Sequence, residues 1–280
     1  MTVDCLVNGQ PTGALGASDR GLRYGDGVFE TIAVVDHQPA LYSHHLARLR
    51  RGCRQLGIDP AVADQLSDDL GRLALPAFGV LRLTVTRGEG GQGYAPPANP
   101  RPTRIVQRAP APDRPSSWWR DGIRCRWCQT RLARQPRLAG IKHLNRLEQV
   151  LARAEWDDPA IHEGLMLDTE GYLAEATAAN LMIEQGGVVI VPTAIQAGVE
   201  GVMQGFLVDQ MKAHGIPCEQ RPVTADALGP DTSVMLCNSL LGIVAVRQLE
   251  DRWLPPGQWL GWLQQRIDDH RVALTPKVLG

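Results

Sequence analysis

Alternating apolar and polar residues predict strands in the first third of the chain. The earliest one ends at the turn-forming pair Asn8-Gly9, so it predicts a hairpin that opens the fold. Its alternating residues are Val3, Cys5 and Val7. Residues 79–87 alternate in the same way, and they predict a strand that runs into a glycine-rich loop.

A period of three to four residues marks the segment 45–58 and predicts an amphipathic helix that ends at Gly57. Its apolar stripe consists of Leu46, Leu49, Cys53 and Leu56. A second stripe predicts a buried helix that begins near Lys142. That stripe consists of Leu144, Leu147, Leu151 and Ala154.

The later part of the chain predicts strands separated by short glycine turns. The first three, at 164–167, 172–183 and 188–191, predict a β-meander. An amphipathic helix follows the glycine-bearing loop 197–201. Two further strands, at 233–237 and 243–246, precede a tryptophan-rich C-terminal helix.

Three prolines and small polar residues make up the segment 109–117, a composition typical of an interdomain linker. The 280 residues also exceed the usual size of one compact domain. We therefore expect an α/β (α+β) protein with an N-terminal domain at 1–108 and a C-terminal domain at 118–280.

The charge balance excludes several kinds of partner. With 29 basic and 30 acidic residues the net charge is −1, which gives no basic field for nucleic acid or an anionic membrane. No apolar run reaches the roughly 18 residues that cross a bilayer. The N-terminus lacks the basic and apolar segments of a secretory signal. We expect a cytoplasmic protein that acts on a small molecule.

The six cysteines are scattered, which favours reduced thiols over a disulfide framework. Cys125 and Cys128 form a Cys-x-x-Cys pair, the spacing of a redox motif or of half a zinc site. They lie on a predicted strand that directs them to opposite faces, and no second pair completes a tetrahedral set. Buried packing is the favoured interpretation, and no metal site is predicted.

Two glycine-rich loops are candidates for binding phosphate. Gly88-x-Gly90-x-x-Gly93 matches the dinucleotide fingerprint, but prolines follow where that fingerprint must open a helix, so a nucleotide site is rejected. The loop 197–201 does precede a predicted helix, and its outward-pointing amides would bind an anion. An ordinary glycine turn is the alternative.

Lysine is scarce, with only Lys142, Lys212 and Lys277 in the chain. Apolar neighbours would partly desolvate the Lys142 amine and make it nucleophilic, whereas the alternative is a surface lysine. Glu175 stands among small residues in a predicted strand, which suits a carboxylate with a partner or one at an edge or interface. A lysine, an anion cradle and a carboxylate together are what pyridoxal phosphate requires.

The sequence resembles the fold-type IV pyridoxal-phosphate enzymes, the D-amino-acid aminotransferase-like fold, and among them most closely the 4-amino-4-deoxychorismate lyases. The motifs that carry the resemblance are Ser18-Asp19-Arg20-Gly21, Tyr24-Gly25-Asp26-Gly27-Val28-Phe29-Glu30-Thr31, His45-Leu46-Ala47-Arg48-Leu49, the Arg87-Gly88 loop, the segment 139–151 and Glu175 with Asn180-Leu181. The segment Lys142-His143-Leu144-Asn145-Arg146-Leu147-Glu148-Gln149 and the loop up to Tyr94 are similar to the lyases in particular. The resemblance implies two domains with the cofactor between them, and a homodimer.

Carried over by position, Lys142 would hold pyridoxal 5'-phosphate as a Schiff base and act as the catalytic base and acid. Glu175 would pair with the ring nitrogen and Arg48 would bind the phosphate. The remaining residues matched to the cofactor are Asn180, Val199, Glu200, Asn238 and Ser239. Val199 and Glu200 would contribute their backbone amides.

The resemblance implies conversion of 4-amino-4-deoxychorismate to 4-aminobenzoate and pyruvate in folate biosynthesis. Arg87 is the candidate for a substrate carboxylate, with a solvated strand-end arginine as the alternative. Tyr94, Phe29 and Thr31 would line the substrate pocket. An aminotransferase of D-amino or branched-chain acids is the second hypothesis, and a non-catalytic pyridoxal-phosphate-binding relative is the third.

Overall fold

The computed structural model describes residues 4–279, which form two compact units. Unit 1 takes the chain up to Pro112 together with Ile141–Asn145, and unit 2 takes Asp113–Gly140 and the chain from Arg146 onward. The first division falls within the segment 109–117. The predicted C-terminal domain, however, contained the segment Ile141–Asn145, which packs with unit 1.

Unit 1 is built on an antiparallel five-stranded sheet. Its strands are β1 (Cys5–Val7), β2 (Gly27–Val35), β3 (Gln38–Pro39), β4 (Phe78–Thr86) and β5 (Thr103–Ala109). Its helices are α1 (Arg20–Tyr24), α2 (Tyr42–Leu56) and α3 (Val62–Leu70). The strand order is β1-β5-β4-β2-β3, so the long strands β2 and β4 lie at the centre.

Helix α2 forms where its period predicts it, and it covers one face of this sheet. Leu46, Leu49 and Cys53 are buried in the same cluster as Ile32 of β2 and Leu81 of β4. Fully burying each large aliphatic side chain contributes about 1.5–3 kcal/mol to stability. The helix ends at Gly57, which takes the left-handed conformation with a φ of 68° that glycine adopts without strain.

The predicted opening hairpin is only partly correct. Val7 and Gln10 exchange two backbone hydrogen bonds around the Asn8-Gly9 turn. The main partner of β1 is β5, whose Val106 lies opposite Leu6, because burial of Leu6 requires the central sheet. Val3 of the predicted strand lies outside the described residues.

Unit 2 is built on a nine-stranded mixed sheet. Its strands are β6 (Ile123–Trp127), β7 (Glu163–Leu167), β8 (Leu173–Ala176), β9 (Asn180–Gln185), β10 (Val188–Pro192), β11 (Cys218–Arg221), β12 (Ser233–Asn238), β13 (Gly242–Leu249) and β14 (Arg252–Trp253). The order is β11-β10-β9-β12-β13-β6-β7-β8, with β14 on β13. Its helices are α4 (Ser117–Asp121), α5 (Leu147–Arg153), α6 (Val202–Ala213), α7 (Leu260–His270) and α8 (Pro276–Leu279).

The predicted β-meander is wrong in its middle. The stretch 172–183 is two strands, because a tight turn closed by the Ala176 N–H and the Ala179 carbonyl at 2.7 Å separates them. Strand β8 then pairs with β7, whereas β9 lies between β10 and β12. The turn therefore moves the chain from one part of the sheet to another.

The helix predicted to begin near Lys142 starts later in the chain, and it buries a different face from the predicted one. Lys142 lies in a non-helical segment, and α5 begins five residues later at Leu147. Leu147 and Leu151 are 75% and 61% exposed, while Gln149 and Ala152 are buried. Helix α5 turns this face inward because Gln149 hydrogen-bonds to the buried carboxylate of Glu175.

Cys125 and Cys128 are buried in two different apolar clusters of unit 2. Burial raises the pKa of the Cys128 thiol to about 12, so it stays protonated at neutral pH. No group of three or more potential metal ligands occurs among residues 4–279. Within the same range, no helix is long and apolar enough to cross a membrane.

Candidate active site

Lys142 is held against β2 in unit 1 by backbone pairing. The Phe29 N–H donates to the Lys142 carbonyl at 2.9 Å, and the Leu144 N–H donates to the Gly27 carbonyl at 3.0 Å. This pairing brings the Lys142 amine to 4.6 Å from the centre of the buried Phe29 ring. The ring excludes water from one side of the amine and stabilises its ammonium form.

A second cation, Arg82, contacts the same aromatic ring. The Arg82 guanidinium lies 4.3 Å from the Phe29 ring centre, and Arg82 stands opposite Thr31 in the pairing of β2 with β4. Phe29, Thr31 and Arg82 therefore share the sheet face on which the Lys142 amine lies. Arg82 is exposed, and the sequence analysis did not identify it because it fits an ordinary alternating strand.

Arg48 of α2 is buried and paired with a carboxylate from β2. Its Nε donates to Glu30 Oε1 at 2.8 Å and its Nη2 donates to Glu30 Oε2, a bidentate pair that fixes the guanidinium plane. His45 Nδ1 also donates to Glu30 Oε2, at 2.6 Å. These three side chains meet because positions 45 and 48 share one face of α2.

The neighbouring side chains and burial set the charge states of Glu30 and His45. Burial opposes the charged form of Glu30, but Arg48 and His45 outweigh it and lower the pKa of Glu30 to about 2. Burial lowers the pKa of His45, against the pull of Glu30, so the imidazole is neutral at pH 7. The sequence analysis gave no role to Glu30 or His45, although both lie inside motifs that carry the resemblance.

Arg87 does not serve either of its predicted roles. It is buried, and its guanidinium donates four hydrogen bonds, two to the Asp26 carboxylate and one each to the carbonyls of Leu56 and Gly57. These acceptors occupy the guanidinium N–H groups that a substrate carboxylate would need. Arg87 is therefore not a solvated strand end, and its donors are already bonded to groups of this chain in place of a substrate carboxylate.

Tyr94 is also placed differently from the prediction. It is 84% exposed, and its ring lies 5.5 Å from that of Tyr24. The loop that carries it is anchored by the buried Arg20, which donates to the carbonyls of Gly93 and Tyr94 at 3.1 and 2.9 Å. The substrate role of Tyr94 stays a prediction.

In unit 2, Glu175 of β8 is a buried carboxylate with a donor on each oxygen. Oε1 accepts from Gln149 Nε2 at 2.9 Å, and Oε2 accepts from the Val199 N–H at 2.8 Å. The guanidinium of Arg146 lies 3.8 Å from Oε1 and adds positive charge. Each oxygen keeps a second lone pair for another donor. Glu175 is therefore a buried and partnered carboxylate, although its strand β8 lies at the edge of the sheet.

The loop 197–201 does not present its amides in the predicted way. The Val199 N–H is bonded to Glu175, and the Glu200 N–H donates to the Gly140 carbonyl at 3.1 Å. Asn180 Nδ2 donates to the Val199 carbonyl at 2.8 Å and so holds the same loop. The close packing requires glycine at 201, because a Cβ there would lie 2.0 Å from Asn180 Oδ1.

Asn238 forms the turn after β12. Its Oδ1 accepts from the N–H groups of Leu240 and Leu241 at 3.0 and 2.8 Å, and its Nδ2 donates to the Ala178 carbonyl at 3.0 Å. Its side chain is therefore engaged in the fold of unit 2. Ser239 follows it in the same turn and is half-buried.

Each unit, taken by itself, contains side chains of the kinds that pyridoxal phosphate requires. The cofactor needs an amine, a cation for its phosphate and a carboxylate for its ring nitrogen. Lys142 has a partly desolvated amine, Arg48 has a guanidinium held in one plane, and Glu175 has open lone pairs on both oxygens. The other two lysines, Lys212 and Lys277, are exposed.

The sequence profile of a family described as amino-transferase class IV matches residues 27–249. This chain belongs to the class IV aminotransferase family. The match begins at β2 and ends at β13, so it spans Lys142, Arg48 and Glu175. The predicted fold class, mixed α/β with the fold-type IV arrangement of two sheets, is confirmed by this family and by its solved structures.

Within the class IV family, the chain is similar to lyases and to aminotransferases. It is 32% identical to an aminodeoxychorismate lyase of Vibrio harveyi over 86% of this chain and 89% of the relative. A crystal structure of 4-amino-4-deoxychorismate lyase from Pseudomonas aeruginosa is 44% identical, covers 95% of this chain and 98% of its own, and superposes with a TM-score of 0.88. A putative branched-chain-amino-acid aminotransferase of Methanocaldococcus jannaschii is 29% identical over 93% of this chain and 92% of its own length.

Proposed function

We propose that this class IV protein is an aminodeoxychorismate lyase that uses pyridoxal 5'-phosphate to convert 4-amino-4-deoxychorismate to 4-aminobenzoate and pyruvate, a step of folate biosynthesis. The observation that carries the proposal is the 44% identity to the Pseudomonas aeruginosa lyase over nearly the full length of both chains. The aminotransferase relatives support the second hypothesis at lower identity.

The proposal assigns one role to each cofactor residue. Lys142 would hold the cofactor, Glu175 its ring nitrogen and Arg48 its phosphate, the last held in plane by Glu30. When bound, pyridoxal phosphate supplies an electron sink that makes the carbon next to the substrate amine acidic. The resemblance also implies cofactor contacts for Asn180, Val199, Glu200, Asn238 and Ser239, but the amides of Val199 and Glu200 are bonded within this chain.

The Lys142 amine would move protons. In its neutral form Nζ removes the proton from the amine-bearing carbon, and as an ammonium it delivers a proton to the ether oxygen of the leaving enolpyruvyl group. The Phe29 ring favours the first step, because its face, 4.6 Å from Nζ, stabilises the ammonium that proton removal forms. Loss of that group produces an aromatic ring, which supplies the driving force.

Substrate carboxylates need a cation other than Arg87. We propose Arg82, because its guanidinium is exposed on the sheet face that carries Phe29, Thr31 and the Lys142 amine. Arginine binds a carboxylate through two parallel hydrogen bonds, which also fixes its orientation. Phe29 and Thr31 would contact the carbon skeleton beside it.

We also propose that the protein is a cytoplasmic homodimer. Helix α5 of unit 2 exposes three large apolar side chains, of Leu147, Val150 and Leu151, which is the kind of surface that a second subunit covers. Sedimentation of the purified protein measures this directly, and a monomer at micromolar concentration would contradict it.

One assay separates the three functions. With 4-amino-4-deoxychorismate and no added keto acid, a lyase releases pyruvate and 4-aminobenzoate in equal amounts. An aminotransferase needs an amino acceptor and releases neither product under these conditions. A non-catalytic relative binds the cofactor and turns over no amine. Release of pyruvate only after a keto acid is added would overturn the lyase proposal.

A further inference from the structure

Gln149 is a buried amide that faces the Glu175 carboxylate. It lies in the middle of the short helix α5, and its Nε2 donates to Glu175 Oε1 at 2.9 Å. The other oxygen of Glu175 accepts from the Val199 N–H at 2.8 Å. One donor on each oxygen prevents the carboxylate from rotating about its bond to Cγ, so the pair of donors sets where the remaining lone pairs point.

The orientation of the Gln149 amide has a cost. Its Oε1 is buried and has no hydrogen-bond partner among residues 4–279. A buried carbonyl without a partner destabilises the fold, and such atoms are rare in native proteins. Reversing the amide would place two acceptors, Oε1 and the Glu175 carboxylate, against each other. The fold therefore leaves one acceptor unpartnered and retains a donor on Glu175.

A positively charged side chain also lies near Glu175. Arg146, at the start of α5, lies 3.8 Å from Oε1, so it adds positive charge at a distance longer than a direct hydrogen bond. A neutral amide such as Gln149 supplies a hydrogen bond without cancelling the negative charge. Arg146 therefore contributes positive charge near Glu175, and Gln149 contributes a hydrogen bond that orients the carboxylate.

We propose that Gln149 is a positioning residue that orients the Glu175 carboxylate toward the ring nitrogen of pyridoxal phosphate and keeps the proton on that nitrogen. This inference rests on the proposed cofactor. Without the Gln149 donor, the carboxylate rotates and becomes a stronger base, so the shared proton moves from nitrogen toward oxygen. The electron sink then weakens while attachment to Lys142 is unaffected.

The test uses full-length protein loaded with pyridoxal phosphate labelled with 15N in the ring. Gln149→Met keeps the volume and removes the amide. The matched control is Gln185→Met, since Gln185 is a partly buried amide in the same unit that donates to Ala227 and Thr232 and does not contact Glu175. Both variants, and wild type, are measured by 15N NMR and by steady-state kinetics.

We expect the ring-nitrogen resonance of Gln149→Met to move from the protonated position toward that of an unprotonated pyridine. We also expect kcat to fall about tenfold or more with KM unchanged, the size expected for one hydrogen bond to a charged group. Gln185→Met should keep both the wild-type resonance and the wild-type kcat. If Gln149→Met does not fold, Gln149→Asn retains the amide but is too short to reach Glu175, and the same shift is expected.

A folded Gln149 variant with the wild-type resonance would overturn the inference and leave the proposed cofactor intact. A wild-type protein that takes up no labelled pyridoxal phosphate would overturn the proposed function, and this inference with it. A shift of equal size in Gln185→Met would show a general loosening of unit 2 and would also overturn the positioning role.

Discussion

Asp26 and the buried Arg87 form a bidentate ion pair, with Nε to Oδ2 at 2.7 Å and Nη2 to Oδ1 at 3.0 Å. The same guanidinium caps the end of α2 by donating to the carbonyls of Leu56 and Gly57 at 2.6 and 2.9 Å. Arg87 and Arg20 together lower the pKa of Asp26, which stays ionised. The pair thus joins the end of β4, the turn before β2 and the end of α2.

Arg87→Lys should therefore destabilise the protein. A lysine cannot make the paired contact with Asp26 and reach both carbonyls, so we expect the free energy of unfolding to fall by about 3 kcal/mol, the scale of a broken buried pair. Urea denaturation measures it. Arg50→Lys is the control, because Arg50 pairs with an exposed Asp64 and should change stability by less than about 0.5 kcal/mol. Equal stability of the two variants would contradict the structural role.

Lys142→Ala should abolish covalent attachment of pyridoxal phosphate. Borohydride reduction followed by mass spectrometry of peptides detects the attachment. Lys212→Ala and Lys277→Ala are the controls, and both should retain it, because Lys212 is on the exposed side of α6 and Lys277 is near the C-terminus. Label that persists in Lys142→Ala would transfer the role to one of those two lysines.

Arg82→Gln should weaken substrate use and leave folding intact. Loss of one charged hydrogen-bonding partner costs about 1.5–3 kcal/mol, which corresponds to a fall in kcat/KM of about 10-fold to 100-fold. Pyruvate release measured over a range of substrate concentrations tests this. The control is Arg120→Gln, an exposed arginine paired with its neighbour Asp121. Unchanged kcat/KM in Arg82→Gln would remove Arg82 from the substrate site.

Glu30 should make unfolding pH-dependent in the acid range. Its pKa falls from 4.5 in the unfolded chain to about 2 in the folded one, so its contribution is present above pH 4.5 and is lost as the pH falls toward 2. The difference corresponds to about 3 kcal/mol.

Glu30→Gln isolates this contribution. It should be less stable than wild type at pH 6, and the gap should narrow as the pH falls from 5 to about 2, as urea unfolding at each pH will measure. Glu219→Gln alters an exposed carboxylate paired with Arg221, and its stability should follow that of wild type throughout. A constant gap between Glu30→Gln and wild type would show that Glu30 does not supply the acid dependence.

The sequence by itself determined the elements whose period depends only on backbone geometry. The stripe of Leu46, Leu49 and Cys53 produced α2, and the alternation of 79–87 produced β4, because side chains repeat every 3.6 residues on a helix and every two on a strand. It also singled out Lys142 and Glu175 as candidates, since the scarcity of lysine and the motifs around both residues are visible without coordinates.

Only the tertiary structure decided which partner each polar group takes. Arg87 looks the same in sequence whether it binds a substrate or Asp26, which lies 61 residues away. Gln149 lies between leucines whose period predicted a buried stripe, and the structure buries the amide in place of the leucines because Glu175 needs a donor. A hydrogen bond or an ion pair depends on groups that folding brings together from distant positions in the sequence. A local periodic pattern does not show which distant residues will meet.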